Sequence, residues 1–263
     1  MIELFDFELF ASPAKVRLHL AEKGPPWTRH RVDIGNFEHK REAYLAMNPA
    51  GLVPTLRHGD ALLVEADVIM EYLEDTFPAE KAGEAALRPA DPFERAWMRL
   101  WLKTVDQLHE AYSTVYQDQV ALPFHRRRPA EARQAMLASL PDPFEALRIA
   151  RWLDTDIAPA EVERALGAVD AVFDQMEGQL ADSTWLTGET FSLADIAMLP
   201  YVDSPLHMVS GLWYRRRPRI AAWLDRVRAR PSYETAILGF PPSAEGEAAI
   251  ALASGGGGRR EAA

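Results

Sequence analysis

Residues 48–77 read NPAGLVPTLRHGDALLVEADVIMEYLEDTF. Asn48-Pro49-Ala50-Gly51 is a turn cluster, and Leu52 to Arg57 is a short apolar run interrupted by Pro54. His58-Gly59-Asp60 separates that run from Ala61 to Val64, which reads as a tight hairpin. Glu65-Ala66-Asp67 then starts a helix in which Val68, Ile69, Tyr72, Leu73 and Phe77 recur at helical spacing. A proline removes a ladder donor, so Pro54 belongs where the neighbouring backbone is not needed for pairing within the sheet. The N–H and C=O of Val53 are thereby offered to an extended peptide, which is recognition by strand addition. The helix that follows presents free N–H groups and a positive dipole end, which favour an anionic group at Glu65 and Ala66.

Upstream of this stretch, Ile2 to Asp6 alternates apolar and acidic side chains as a half-buried strand does. Ser12-Pro13 reads as the N-cap and first position of a helix running to about Lys23, stopped by Gly24-Pro25-Pro26. Thr28 to Asp33 resumes a strand, and Glu38 to Met47 is a shorter, polar helix. The order β-α-β-α-β-β-α is a thioredoxin-like α/β layout, with a right-handed crossover between the first two strands.

Pro78 to Pro92 lacks apolar periodicity and reads as an interdomain linker. From Phe93 onward the period is helical, and a stripe through Trp97, Trp101, Leu108, Tyr112 and Tyr116 runs for about seven turns. Most rings on that stripe belong to a core. Tyr112 and Tyr116, near its far end, are the exceptions expected to line a substrate pocket. Pro123 to Pro143 is irregular and arginine-rich with a short helix over Ala130 to Leu140, and Phe144 to Leu180 is helical with a break near Thr155 to Pro159. Ser192-Leu193-Ala194-Asp195 fits a capping box heading a buried helix. Pro218 to Arg230 is a last amphipathic helix, and the Ala-, Glu- and Gly-rich chain beyond Pro241 should be mobile. The expected division is 1–78, a linker at 79–92, an all-helical domain at 93–240 and a flexible tail at 241–263.

Composition narrows the function. The 263 residues carry a net charge of −10, which disfavours a grip on nucleic acid phosphates. The runs Arg126 to Arg128 and Arg215 to Arg217 stand beside prolines and read as solvated. No apolar run approaches the roughly 18 residues of a membrane span, and the start MIELFDFE lacks a basic signal-peptide region, so a cytoplasmic location is expected. The seven histidines are scattered without ligand spacing, so no metal is expected. There is no cysteine. A thioredoxin-like domain without one cannot run dithiol exchange and must borrow a thiol from a ligand.

The phrase NPxGxVPxL followed by Glu-Ala-x-x-Ile-x-x-Tyr-Leu resembles the glutathione-binding half of the soluble glutathione transferases. The resemblance implies a cis Val53–Pro54 bond and a thiolate held at the start of the first helix. In the Ser-type members a serine there donates to the glutathione sulfur, and Ser12 matches that place. No tyrosine precedes Tyr44, and no cysteine exists to serve instead. The resemblance also assigns Val53 to the cysteinyl backbone, Glu65 and Ala66 to the γ-glutamyl end, and His39 or Lys40 to the glycyl carboxylate. Ala66 stands where the family usually has serine, so one hydroxyl contact is lost while the backbone N–H remains.

FEHK, YLEDTFP and LRPADPFERAWMRLW look like the branch containing bacterial glutathione-dependent β-etherases, which cleave aryl ethers. The likeness is good over roughly residues 1–110, returns near Ser192 and in AWLDRVRARP, and is poor between Gln117 and Ala160. What it implies is a homodimeric enzyme whose glutathione thiolate attacks a hydrophobic, aromatic electrophile. A glutathione-dependent isomerase or dehalogenase, and a noncatalytic scaffold of the same fold, are the rivals.

Overall fold

The computed structural model describes residues 1–79, 86–204, 206 and 216–257. Four strands form one mixed sheet in the order β2-β1-β3-β4: β1 (Ile2–Asp6), β2 (Trp27–Arg31), β3 (Thr55–His58) and β4 (Ala61–Val64). β1 runs parallel to β2 and antiparallel to β3, with Leu4 opposite Leu56, and β3 and β4 close the hairpin at Gly59. The helix expected over Glu38 to Met47 is shorter, a 3-10 turn at Glu38–Lys40 followed by α2 (Glu42–Leu45).

Period-two alternation assigns the two faces. Ile2 and Leu4 of β1 and Leu56 of β3 point at α1 (Ala11–Lys23) and α3 (Ala66–Thr76), where Val16, Leu20, Ile69 and Leu73 complete a dry core. Phe5 points the other way, stacking on His30 and meeting Tyr44 of α2 edge-on. This is the thioredoxin-like arrangement of the N-terminal half.

The rest of the described chain is helical. The long helix α4 (Pro92–Tyr116) is capped by Asp91, whose carboxylate accepts from the N–H groups of Phe93 and Glu94. It passes through a π-turn at Gln117–Ala121 into α5 (Leu122–Arg126), followed by α6 (Ala130–Ala138), α7 (Pro143–Asp154) and α8 (Pro159–Gln179). The stretch expected to be irregular after Pro123 is therefore mostly helical. The capping box is present at the start of α9 (Leu193–Val202). Asp195 accepts from the Ser192 and Leu186 N–H groups and from the Trp223 indole, all buried. A core through α4, α8 and α9 reaches without interruption to Phe7, Leu9 and Leu18 of the first half.

Two expectations are corrected. The tail beyond Pro241 is not mobile throughout: after α10 (Pro218–Arg228) and the turn Pro231–Tyr233, the chain forms α12 (Ala244–Gly257), counting Pro231–Tyr233 as α11. Ser243 supplies what composition concealed. Its hydroxyl accepts from the Gly246 N–H, its own N–H donates to Glu8, and Arg31 donates to its oxygen. Ala249 and Leu252 are buried, and Gly246 lies against Leu9 where a Cβ would meet that side chain at 3.2 Å. The arginine runs are also not simply solvated. Arg126 donates to the Leu153 carbonyl and pairs with Asp156, and Arg217 is buried between Asp170 and Asp174. Arg215 lies outside the described residues.

Candidate active site

The first helix does not begin as its sequence suggests. Phe10 takes the cap position with extended backbone, and the Phe10 N–H donates to the Phe7 carbonyl. Ser12 is therefore the second helical residue and not the N-cap, and no side chain caps this helix. The consequence is chemical. The N–H groups of the first turn have no intrahelical acceptor, and Pro13 has no N–H to offer. The half-buried Ser12 hydroxyl is thus not spent on its own backbone.

Val53–Pro54 is cis and immediately precedes β3. β3 itself is an interior strand, so the free backbone is confined to the residue before the proline. Among the described residues neither the N–H nor the carbonyl of Val53 has a hydrogen-bond partner. The preceding carbonyl is held firmly instead: Leu52 O accepts from Tyr44 Oη at 2.7 Å and from Asn48 Nδ2 at 2.8 Å, and both donors also reach Thr55 Oγ1. Tyr44, Asn48 and Thr55 thus fix the segment that presents Val53. Sequence reading did not single them out, although the Asn-Pro turn was a signal.

Gly51 explains how the segment reaches the 3-10 turn. With φ +58, an added Cβ would lie 2.8 Å from the His39 carbonyl and 3.0 Å from Lys40 Cδ. Only glycine permits that approach. His39 and Lys40 thereby flank the loop that carries Val53, and they are not equivalent. Burial, then the Lys40 charge, holds the His39 imidazole down to about 4, so it is neutral near pH 7. Its Nδ1 is buried without a partner. Lys40 is the charged member, donating to the Ala50 carbonyl at 3.1 Å with Glu145 of α7 3.8 Å away.

Glu65 occupies φ 68, ψ 115 just before α3, a backbone region that costs a non-glycine residue about 1–3 kcal/mol. Strain of this kind persists where the local geometry serves a purpose. Glu65 is exposed and Ala66 buried, so the end of α3 offers the Ala66 N–H with no side-chain hydroxyl.

The two tyrosines expected to line a substrate pocket part company. Tyr112 is buried, and its hydroxyl donates to Ser204 at 2.6 Å while burial pushes its ionisation up. Tyr116 is half-buried and meets Phe10 edge-on at 5.4 Å, next to the start of α1. Beneath Ser12 lies a polar group that sequence reading missed. Lys15, one turn on, pairs with Asp67 at 3.2 Å, and the Tyr201 hydroxyl of α9 hydrogen-bonds His109 Nδ1 at 3.0 Å. These partners are 52 and 92 residues apart in sequence, beyond the reach of any local pattern.

The thioredoxin-like half, the cis-proline loop ahead of β3 and the helical second half are consistent with one family. The chain belongs to the glutathione S-transferase family. It matches the family models for the glutathione S-transferase N-terminal domain over residues 11–76 and C-terminal domain over residues 135–231. It is 31% identical to Protein LigF of Sphingobium sp. over 239 residues, covering 88% of this chain and 91% of that one. The crystal structure of beta-etherase LigF superposes with a TM-score of 0.78 at 29% identity, covering 90% of this chain and 99% of the other. A glutathione S-transferase of Hyoscyamus muticus is 28% identical over 86% of this chain and 93% of that one. A tetrachloro-p-hydroquinone reductive dehalogenase of Sphingobium chlorophenolicum is also 28% identical, over 89% of this chain and 95% of that one. The protein is a glutathione-dependent transferase. Among the described residues no helix is long and apolar enough to cross a membrane.

Proposed function

We propose that this enzyme uses Ser12 to stabilise the glutathione thiolate for attack on an aromatic electrophile, displacing an oxygen leaving group from an aryl ether. The observation that carries the reading is the uncapped start of α1, where the Ser12 hydroxyl stands at the positive end of the helix without a backbone partner. Val53 would pair with the cysteinyl backbone, the Ala66 N–H with the γ-glutamyl carboxylate, and Lys40, with neutral His39 beside it, with the glycyl carboxylate. In the step itself the thiol proton leaves to water, sulfur forms a bond to the electrophilic carbon, and the carbon–oxygen bond breaks. The phenoxide released then takes a proton from solvent.

Likeness to LigF supports the ether as substrate, and the aromatic lining at Phe10 and Tyr116 suits an aryl ring. The test is incubation with a β-aryl ether and glutathione. Phenol and a glutathione thioether should appear in equal amounts, slowed about 10- to 100-fold in Ser12→Ala, the span of one hydrogen bond to a charged group. Turnover of halogenated aromatics but no ether would support the second reading, for which the likeness to the dehalogenase speaks.

Copies of the chain should pair. Phe93, Trp97 and Leu100 of α4 and Val68 of α3 are exposed along two helices tied together by the Arg99–Glu71 ion pair. A groove of about 270 Å³ between α4 and α8 opens beside Trp97 and contains none of the residues assigned to glutathione. An apolar strip of this kind is what a subunit interface covers.

A further inference from the structure

Lys40 closes the 3-10 turn Glu38–Lys40, and α7 brings a carboxylate to it from the helical half of the chain. An ammonium carries three N–H donors. One reaches the Ala50 carbonyl at 3.1 Å. Glu145 Oε1 stands 3.8 Å from Nζ, too far for a hydrogen bond and close enough to act through its charge.

That carboxylate is fixed where it stands. Arg148, three residues on, donates from Nε to Oε2 at 2.7 Å and from Nη2 to Oε1 at 2.6 Å, a two-pronged grip. Glu145 also lies in the first turn of α7, where the helix dipole favours a negative charge. α7 is anchored in turn through Ile149 and Leu153 to the small core that contains Phe37, directly ahead of the turn carrying Lys40. Only 17% of the Lys40 side chain and 21% of the Glu145 side chain are exposed, so solvent screens the two charges incompletely. Glu145 is ionised near neutral pH, since the hydrogen bonds from Arg148 hold its carboxyl below the ordinary range.

A carboxylate hydrogen-bonded to Lys40 comes within about 3 Å of Nζ, and hence within about 7 Å of Glu145 Oε1. That is inside the Debye length of about 8 Å at physiological salt, so the two like charges repel. A neutral group at the same place meets no such opposition.

We propose that Glu145 is a specificity-determining residue for the thiol cosubstrate: its fixed negative charge beside Lys40 weakens the hold on a free glycyl carboxylate, and so admits γ-glutamyl-cysteinyl thiols whose far end is a neutral ester or amide. The proposal rests on the assignment of Lys40 to the glycyl carboxylate above.

The test is calorimetric titration of the full chain with glutathione and with its glycyl monoethyl ester, which keeps the thiol and the γ-glutamyl end and loses only the C-terminal charge. Glu145→Gln should tighten glutathione about three- to tenfold and leave the ester within about twofold of the wild type. The gain should shrink in about 0.5 M salt. Arg148→Gln, which removes the compensating charge, should move glutathione the other way, to about two- to fivefold weaker binding. A loosened α7 would shift both variants in one direction, and that result overturns the proposal. So does glutathione unchanged or weaker in Glu145→Gln, or tightened no more than the ester. Lys40→Met separates this from the reading beneath it: glutathione should weaken about tenfold and the ester should be spared. Equal weakening of both ligands there overturns the assignment of Lys40 itself.

Discussion

Ala66 stands where the resemblance to the family leads one to expect serine, and the difference is simple to reverse. The side chain is buried at the first position of α3, directly after the strained Glu65. Ala66→Ser should restore one hydrogen bond to the γ-glutamyl carboxylate, worth about 1 kcal/mol, and lower KM for glutathione about fivefold with kcat unchanged. Steady-state kinetics with glutathione varied at saturating electrophile would check it. Neighbouring residues show what a sequence conveys at this scale. Val53, Pro54 and Gly51 were legible because turn and strand chemistry restrict their types. His39 was legible as a candidate beside the loop that carries Val53 but not as a neutral group, since its charge state is set by burial and by the neighbouring Lys40. Tyr201 and His109 gave no local signal, because what pairs them is the packing of α4 against α9.

Among the elements, α5 to α7 lie where the sequence likeness is expected to be poor, and the structure gives this segment an anchor. Phe37, at φ 56 in the loop after β2, joins Leu122, Met136, Leu140, Ile149 and Leu153 in a separate small core. His125 closes that core, its ring 5.1 Å from Phe37 and 6.0 Å from Trp152. Burial, then Arg128, holds its imidazole down to about 4. The unfolded chain therefore takes up this proton first, near pH 6.5, so the stability supplied by the neutral ring is complete above that pH and is lost as pH falls through about 4. His125→Phe keeps the ring and cannot protonate. Between about pH 7 and about pH 4.5, urea denaturation should cost the wild type about 2–3 kcal/mol more than the variant. His39 adds to the acid loss, somewhat less in the variant because the His125 charge is one of the causes that lower its pKa, and Asp195, raised by burial to about 6, opposes the loss in both proteins. The helices α4, α8 and α9 were readable from their periodicity and capping residues. The helix α12 was not, because alanine and glycine carry no amphipathic signal, and its order comes from Ser243 meeting Glu8 and Arg31, each more than 200 residues away from it.

At the scale of the whole molecule, the two halves are joined through one continuous core, and the candidate site lies where α1 of one half meets α9 of the other. The strip formed by Val68, Phe93, Trp97 and Leu100 faces outward from this arrangement. Trp97→Glu should convert a dimer to monomers in sedimentation velocity, since a charge would have to be buried unpaired in the interface. A wild-type chain already monomeric at high concentration would remove that surface from consideration. The thioredoxin-like order is legible in the sequence because each element carries its own start and stop signals. The joint between the halves is not, because it is made of core residues indistinguishable in sequence from any others. In the proposed function that joint holds a hydroxyl at an open helix start where the thiol of glutathione would lie. The most direct test is the spectroscopic titration of glutathione bound to the wild type and to Ser12→Ala. Expected is a thiol pKa at least a unit below the ordinary value of about 8.5 in the wild type, rising by about one to two units in the variant. A bound thiol that titrates as it does in free solution, or one indifferent to the loss of Ser12, would contradict it.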